Sequence, residues 1–222
     1  MFEQIRGLCA QVRDRHLKAL LFSFLDDPEI APAFLRAPAA MRIHHARPGG
    51  LCEHTLSVLQ LGWRICDHYP RLDRDLVTAG CLLHDIGKVR EISPEPGFDY
   101  TQEGKLVGHL VLTCQWIREK ASKLPGFPQE LEWRVTHLVA AHHGRHEYGS
   151  PKEPATLEAV VVHALDELDT RLDSFEQLLA QTPPEAQWTD RKNMYGRSLL
   201  RPAPPAPDDR RLPGQGLYRE GQ

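Results

Sequence analysis

Apolar residues recur at intervals of three and four along most of this chain, and proline and glycine separate the segments that carry them. Residues 51–68 show the pattern clearly, with one face formed by Leu51, Val58, Leu61 and Ile65. This period is typical of amphipathic helices, whereas half-buried strands alternate apolar and polar residues. We find neither alternating runs bounded by turn signals nor an internal repeat. The sequence therefore predicts an all-α protein.

The predicted helices cover residues 2–25, 51–68, 73–86, 105–121, 129–143 and 155–180, with a short helix within 26–38. The segment "LEAVVVHAL" at the start of the last long helix is apolar nearly all round, so we expect that helix to be central and buried. Further on, "RPAPPAPDDRRLPGQG" is polar and rich in proline, and such a segment does not bury enough surface to order itself. The prediction is one helical bundle with a disordered, proline-rich C-terminal tail.

Composition and charge predict where the protein is located and what it can bind. No stretch approaches the length of a membrane span, and the charged N-terminus lacks the apolar centre and cleavage site of a signal peptide. The five cysteines form no CxxC pair, as expected of reduced thiols. We therefore expect a cytoplasmic protein without membrane contact. Because the net charge is −3, no general basic field attracts nucleic acid, and any phosphate recognition must be local.

Polar side chains of metal-ligand type lie on the apolar sides of five predicted helices. In chain order they are His54, His84 with Asp85, His109, His142 with His143, and Asp166. Burying so many titratable groups is costly unless they share a partner, and imidazoles with carboxylates around one cation would satisfy them together. A single inward histidine is more often a hydrogen-bonded core residue, but a set spread over five helices favours a metal site.

At this point the chain resembles the HD superfamily, whose signature is His…His-Asp…Asp. The segments "HHARPGGLCEHTLSVLQL", "LLHDIGKVREIS", "FDYTQEGKLVGHL" and "AAHHGRHEYGSPKEPATLEAVVVHALDELDTRLDSF" are similar to the HD domain of YhaM-type 3′→5′ exoribonucleases. The resemblance implies an all-helical, metal-dependent phosphohydrolase. It predicts an N-terminal helical extension (1–45), an HD phosphohydrolase domain (46–182) and a C-terminal extension (183–222) that is mostly irregular from about residue 201.

The resemblance also implies two metal sites. The first would use His54, His84, Asp85 and Asp166; the second would use His109, His142 and His143, with Asp85 bridging. The second set matches the two-metal variant, which also resembles HD-GYP phosphodiesterases, although the "GYP" segment is absent. Mixed histidine and aspartate ligation suits Mn²⁺, our first expectation, with Fe²⁺, Co²⁺, Ni²⁺ or Zn²⁺ as alternatives. Asp169 could compete with Asp166 as a ligand, but the match of "HALDELD" to the family favours Asp166. Glu53 could be a ligand in a three-metal arrangement, although we expect a solvent-facing glutamate.

Three residues are predicted to contact the substrate. Lys88 lies one helical turn after Asp85, so its ammonium can face the site and bind a phosphate; the alternative is a solvated lysine at a helix C-terminus. His45 and Arg145 could supply positive potential at the mouth of the site, or they could be plain surface residues. Asp85 and Lys88 are the predicted catalytic residues.

The predicted activity is hydrolysis of phosphodiester bonds, as in a 3′→5′ exoribonuclease acting on single-stranded RNA or short oligonucleotides. A phosphomonoesterase or a cyclic-nucleotide phosphodiesterase is the alternative enzyme, and a non-catalytic metal- and nucleotide-binding sensor is the alternative of another class. YhaM-type proteins usually carry an OB-fold ahead of the HD domain, and only residues 1–45 precede it here. Since OB-folds hold single strands, we expect a short substrate. The sequence leaves oligomeric state open.

Overall fold

The structure, a computed structural model, describes residues 1–41, 45–93 and 99–202. Its helices are α1 (Phe2–Ala10), α2 (Arg15–Leu25), α3 (Ile30–Phe34), α4 (Gly50–His68), α5 (Arg74–Leu83), α6 (Lys88–Glu91), α7 (Gln102–Leu106), α8 (His109–Lys123), α9 (Gln129–Ala141) and α10 (Leu157–Ala180). Within the described ranges, extended residues pair only as two isolated bridges, Ile92 with Tyr100 and Trp188 with Leu200. The all-α prediction is confirmed.

The predicted helix 2–25 is divided into α1 and α2. The Asp14 carboxylate accepts hydrogen bonds from backbone N–H groups in the first turn of α2 and caps that helix. Asp75, on α5, accepts the backbone N–H groups of Arg13 and Asp14 at 2.9 and 2.8 Å. Because side chains accept hydrogen bonds from these N–H groups, α1 ends and α2 begins here, although the apolar period continues through both helices.

The central helix is α5 and not α10. Every residue from Leu76 to Leu83 is buried, and a Cβ added at Gly80 would lie 2.6 Å from Val162 of α10. Small residues in α5 thus let neighbouring helices approach from several sides. On α10, by contrast, Val160 is 54% exposed and Leu172 is 55% exposed. The prediction that this last long helix is central and buried is therefore wrong, since part of its apolar surface is exposed.

The chain forms two compact units, Met1–Ser174 and Phe175–Gln222. In the second unit, Phe175 packs against Tyr195 with ring centroids 4.7 Å apart, and Arg201 donates to the carbonyl oxygen of Thr182 at 2.8 Å. The predicted boundaries after residues 45 and 182 stay a prediction.

Most of the predicted disordered tail, residues 203–222, lies outside the described residues. In the part of the chain that is described, no helix combines the length and the apolar character needed to cross a membrane.

Candidate metal centre

The end of α5 places an imidazole and a carboxylate in the interior of the first unit. His84 is fully buried and Asp85 is 2% exposed. His84 Nδ1 lies 3.0 Å from the carbonyl oxygen of Cys81, and a carbonyl can only accept, so Nδ1 carries the proton. The other ring nitrogen, Nε2, therefore carries a lone pair, and it faces the neighbouring residues of metal-ligand type.

A first cluster joins His84 and Asp85 to His54 of α4 and Asp166 of α10. One ligand atom from each of the four lies within 4.8 Å of the others. His54 Nε2 is 3.1 Å from His84 Nε2 and 3.3 Å from Asp166 Oδ1. Asp85 Oδ2 lies 3.5 Å from His84 Nε2 and 3.7 Å from His54 Nε2. Helices far apart in sequence thus bring two imidazoles and two carboxylates to one point.

A second cluster lies on the other side of the Asp85 carboxylate. It consists of His109 at the start of α8 and of His142 and His143 at the end of α9. Asp85 Oδ1 is 3.4 Å from His109 Nε2 and 3.5 Å from His142 Nε2. One carboxylate therefore turns one oxygen toward each cluster.

Both clusters fit divalent metal ions. Nitrogen and oxygen ligands about 2.1 Å from an ion lie about 3.0–3.4 Å from each other in octahedral or tetrahedral geometry, close to the separations found here. In the described part of the chain, four buried atoms have no hydrogen-bond partner: Asp85 Oδ1, His109 Nε2, His142 Nε2 and His143 Nδ1. Each belongs to the second cluster or faces it. Such atoms carry a large desolvation penalty, which a shared cation would remove.

The protonation states suit ligation in several of these groups. Burial lowers the pKa of His84 to about 4, and burial together with the neighbouring His142 lowers the pKa of His143 to about 4. Both imidazoles are therefore neutral at pH 7. For Asp166, burial opposes ionisation, but the hydrogen bond from His54 holds the pKa of the carboxyl well below its usual range. The pKa of Asp85 is likewise lowered, mainly by Lys88 against the effect of burial.

His54 behaves differently from His84. Burial lowers the pKa of His54, but hydrogen bonds to Asp166 and Asp169 outweigh it and raise the pKa to about 9. A proton on His54 thus balances two carboxylates. Since a metal ligand must be a neutral imidazole, a cation in the first cluster would displace this proton.

Two further carboxylates orient histidines of the two clusters. Asp169 Oδ2 accepts from His54 Nδ1 at 2.7 Å, and its other oxygen accepts from Ser57 Oγ. Glu91 Oε1 accepts from the backbone N–H of His109 at 3.0 Å and from its Nδ1 at 2.9 Å. In each pair the carboxylate fixes the proton on Nδ1, so Nε2 points into its cluster.

The sequence did not single out Glu91 or Ser57. Each is a common polar residue within a helical period, and neither has a pattern that separates it from a solvated side chain. Glu91 is nevertheless only 8% exposed. Asp169, the competing ligand in the sequence, contacts His54 from the side opposite the first cluster.

The predicted substrate residues occupy three different environments. Lys88 Nζ donates to Asp85 Oδ2 at 2.6 Å with its side chain 12% exposed, so it lies at the centre. His45 is buried, and its Nε2 lies 3.1 Å from Asp169 Oδ2, behind His54. Arg145 is 65% exposed and pairs with Glu147 at 3.2 Å. The substrate-binding roles of all three stay predictions.

Comparison with known proteins identifies relatives of this chain. The HD domain family model matches residues 51–171. The 3′-5′ exoribonuclease YhaM of Shouchella clausii is 34% identical over 204 residues, which cover 91% of this chain and 63% of that protein. The proteins of the same name from Bacillus pumilus and Bacillus subtilis are 40% and 38% identical over 170 residues, covering 76% of this chain and 54% of theirs. No solved structure matches the chain.

The chain therefore spans between about half and two thirds of the length of these relatives. The matched region includes every residue of both clusters, from His54 to Asp166. The resemblance drawn from the sequence motifs is confirmed: the chain belongs to the HD domain family and is related to the YhaM 3′-5′ exoribonucleases.

Proposed function

We propose that this protein hydrolyses phosphodiester bonds with two divalent metal ions, as a 3′-5′ exoribonuclease-like enzyme acting on single-stranded RNA or short oligonucleotides. The observation that carries the proposal is the position of Asp85. Its two oxygens face two separate clusters of metal-ligand type at 3.4–3.7 Å. A carboxylate shared between two ions would hold them close together, and two-metal phosphoryl transfer requires two ions a few ångströms apart. The relationship to YhaM proteins supports RNA as the substrate class.

The proposed ligands divide between the clusters. His54, His84, Asp85 and Asp166 would hold the first ion, and His109, His142, His143 and Asp85 would hold the second. When bound, the two ions supply an activated water and stabilise charge on the phosphoryl oxygens. We propose Mn²⁺ as the ion, with Fe²⁺, Co²⁺, Ni²⁺ or Zn²⁺ as alternatives, because imidazole and carboxylate ligands suit these metals better than Mg²⁺ or Ca²⁺.

Side chains of the protein supply positive charge and exclude water where a phosphate would bind. Lys88 Nζ, 2.6 Å from Asp85 Oδ2, keeps its charge because the adjacent carboxylates raise its pKa against the effect of burial. Once metal ions neutralise Asp85, this ammonium can donate a charge-assisted hydrogen bond to a phosphate oxygen. His84 and Asp85 are buried in the apolar interior, which limits competing water around them. Lys88 thus binds and orients the substrate, and Asp85 links the two ion sites.

The test is hydrolysis by the purified chain with MnCl₂. We expect stepwise shortening of 5′-labelled single-stranded RNA from its 3′ end, and hydrolysis of bis(p-nitrophenyl) phosphate. Asp85→Ala should abolish both, because it removes a ligand from each cluster. Asp67→Asn is the matched control, since that aspartate lies on α4 with its side chain 68% exposed.

Each alternative outcome contradicts the proposal in a distinct way. Hydrolysis of p-nitrophenyl phosphate or cyclic nucleotides without cleavage of RNA would replace it with a phosphomonoesterase or a cyclic-nucleotide phosphodiesterase. Metal and nucleotide binding without turnover would indicate a sensor. Full activity in Asp85→Ala would refute the two-ion centre itself.

A further inference from the structure

The loop between α9 and α10 leaves the second cluster and then returns to it. Gly144 follows the ligand pair with φ +81°, and a Cβ there would lie 2.3 Å from the His163 ring, so the turn requires glycine. Further along, a Cβ added at Gly149 would lie 4.0 Å from His143 Nδ1. Gly149, which directly follows Tyr148, therefore lies beside the second cluster.

Hydrogen bonds fix the shape of this loop. The carbonyl oxygen of Arg145 accepts from the backbone N–H groups of Tyr148 and Ser150 at 3.0 and 3.2 Å. Ser150 is 3% exposed, and its Oγ donates to the carbonyl oxygen of Lys152 at 2.6 Å. His146 Nδ1 donates to the carbonyl oxygen of Ser150 at 2.9 Å. These hydrogen bonds are made within the protein, so the shape of the loop does not depend on a ligand, and a preformed shape reduces the entropic cost of binding.

Two large side chains extend from this fixed loop into solvent. Tyr148 is 59% exposed, and the Arg145 side chain is 65% exposed and forms an ion pair with Glu147 at 3.2 Å. A surface pair of this kind contributes little stability, so the guanidinium can exchange it for a phosphate. Exposed aromatic rings stack on nucleobases with little dependence on which base it is. A guanidinium group can donate two parallel hydrogen bonds to the oxygens of one phosphate.

We propose that Tyr148 and Arg145 form a nucleobase subsite beside the second cluster. The tyrosine ring stacks on a base adjacent to the cleaved phosphodiester, and the guanidinium contacts the neighbouring phosphate. The inference rests on the proposed function, because it takes a nucleic acid end as the substrate. It predicts that a nucleobase next to the scissile bond raises affinity, with little preference for which base it is.

The experiment compares short 5′-labelled RNAs with matched RNAs that carry an abasic ribose at the last or the penultimate position. Fluorescence anisotropy gives the Kd for versions with a phosphorothioate at the terminal linkage, and cleavage with MnCl₂ gives kcat/KM. In the wild-type protein we expect abasic RNA to bind about tenfold more weakly at one of the two positions, the magnitude of one stacked base. Tyr148→Ala should reduce this ratio toward one, and Tyr148→Phe should retain it.

Trp133→Ala is the matched control, since this comparably exposed aromatic residue (64%) lies on α9, within the helix and more than two turns before the His142-His143 pair. A base-dependent ratio that survives Tyr148→Ala, or that falls equally in Trp133→Ala, would overturn the subsite. So would a wild-type protein that does not distinguish abasic from intact RNA. If the proposed function is wrong, the result differs from failure of the subsite, because neither the intact nor the abasic RNA is cleaved. The ratio of Kd values then decides by itself whether the subsite exists.

Discussion

Replacing Glu91 with glutamine should weaken metal binding at the second cluster and leave the first unchanged. The glutamine oxygen can still accept the backbone N–H of His109, now 3.0 Å from Glu91 Oε1. The bond to His109 Nδ1, at 2.9 Å, loses its charge assistance, and a hydrogen bond to a charged group exceeds a neutral one by about 1–1.5 kcal/mol. Imidazole basicity falls accordingly, so we expect the affinity for Mn²⁺ at the second site to drop about tenfold.

The assay is isothermal titration of the metal-free protein with MnCl₂, with the bound ions counted by electron paramagnetic resonance. We expect the wild type to bind two ions and Glu91→Gln to retain one affinity while the other weakens. Glu103→Gln is the control, because this glutamate lies in the neighbouring helix α7 with its side chain 44% exposed. Equal weakening of both sites, or a second-site affinity within about twofold of wild type, would refute the reasoning.

Three further predictions concern the first ion site, the glycine turn after α9 and the pH dependence of stability. Asp169→Asn should weaken the first ion site about tenfold with the second unchanged, as measured by the same titration; loss at both sites would contradict separate positioning. Gly144→Ala should lower the free energy of unfolding by at least about 1–2 kcal/mol, measured by urea denaturation, because its φ is +81° and His163 occupies the space for a Cβ; unchanged stability would show that the turn relaxes. For Asp27, burial raises the pKa, but hydrogen bonds from Lys120 and from backbone N–H groups lower it to about 2. A carboxyl whose pKa is lower in the folded than in the unfolded protein stabilises the fold at pH values above its unfolded pKa near 4, and this stabilisation is lost as the pH falls toward 2. Asp27→Asn should therefore be less stable than wild type at pH 7, and the difference should shrink at pH 3.

The sequence predicted helical positions well because apolar periodicity is a local property of each segment. α4, α5 and α9 begin within one residue of their predicted starts. Two of the errors come from contacts between distant residues. Asp75 takes up the N–H groups that would have continued α1 into α2, and α5 is the central helix because the small residue Gly80 lies against α10.

By itself the sequence determined the helical class, the family and the set of ligand types withheld from water, since each depends on residue identity and spacing alone. Only the tertiary structure decided how those groups pair. The carboxylates that orient His54 and His109 lie 115 and 18 residues away in the chain, and His45 lies behind His54 although its sequence position suggested the mouth. Such pairings arise where packed helices bring side chains together in an apolar interior, and no period along a single helix records them.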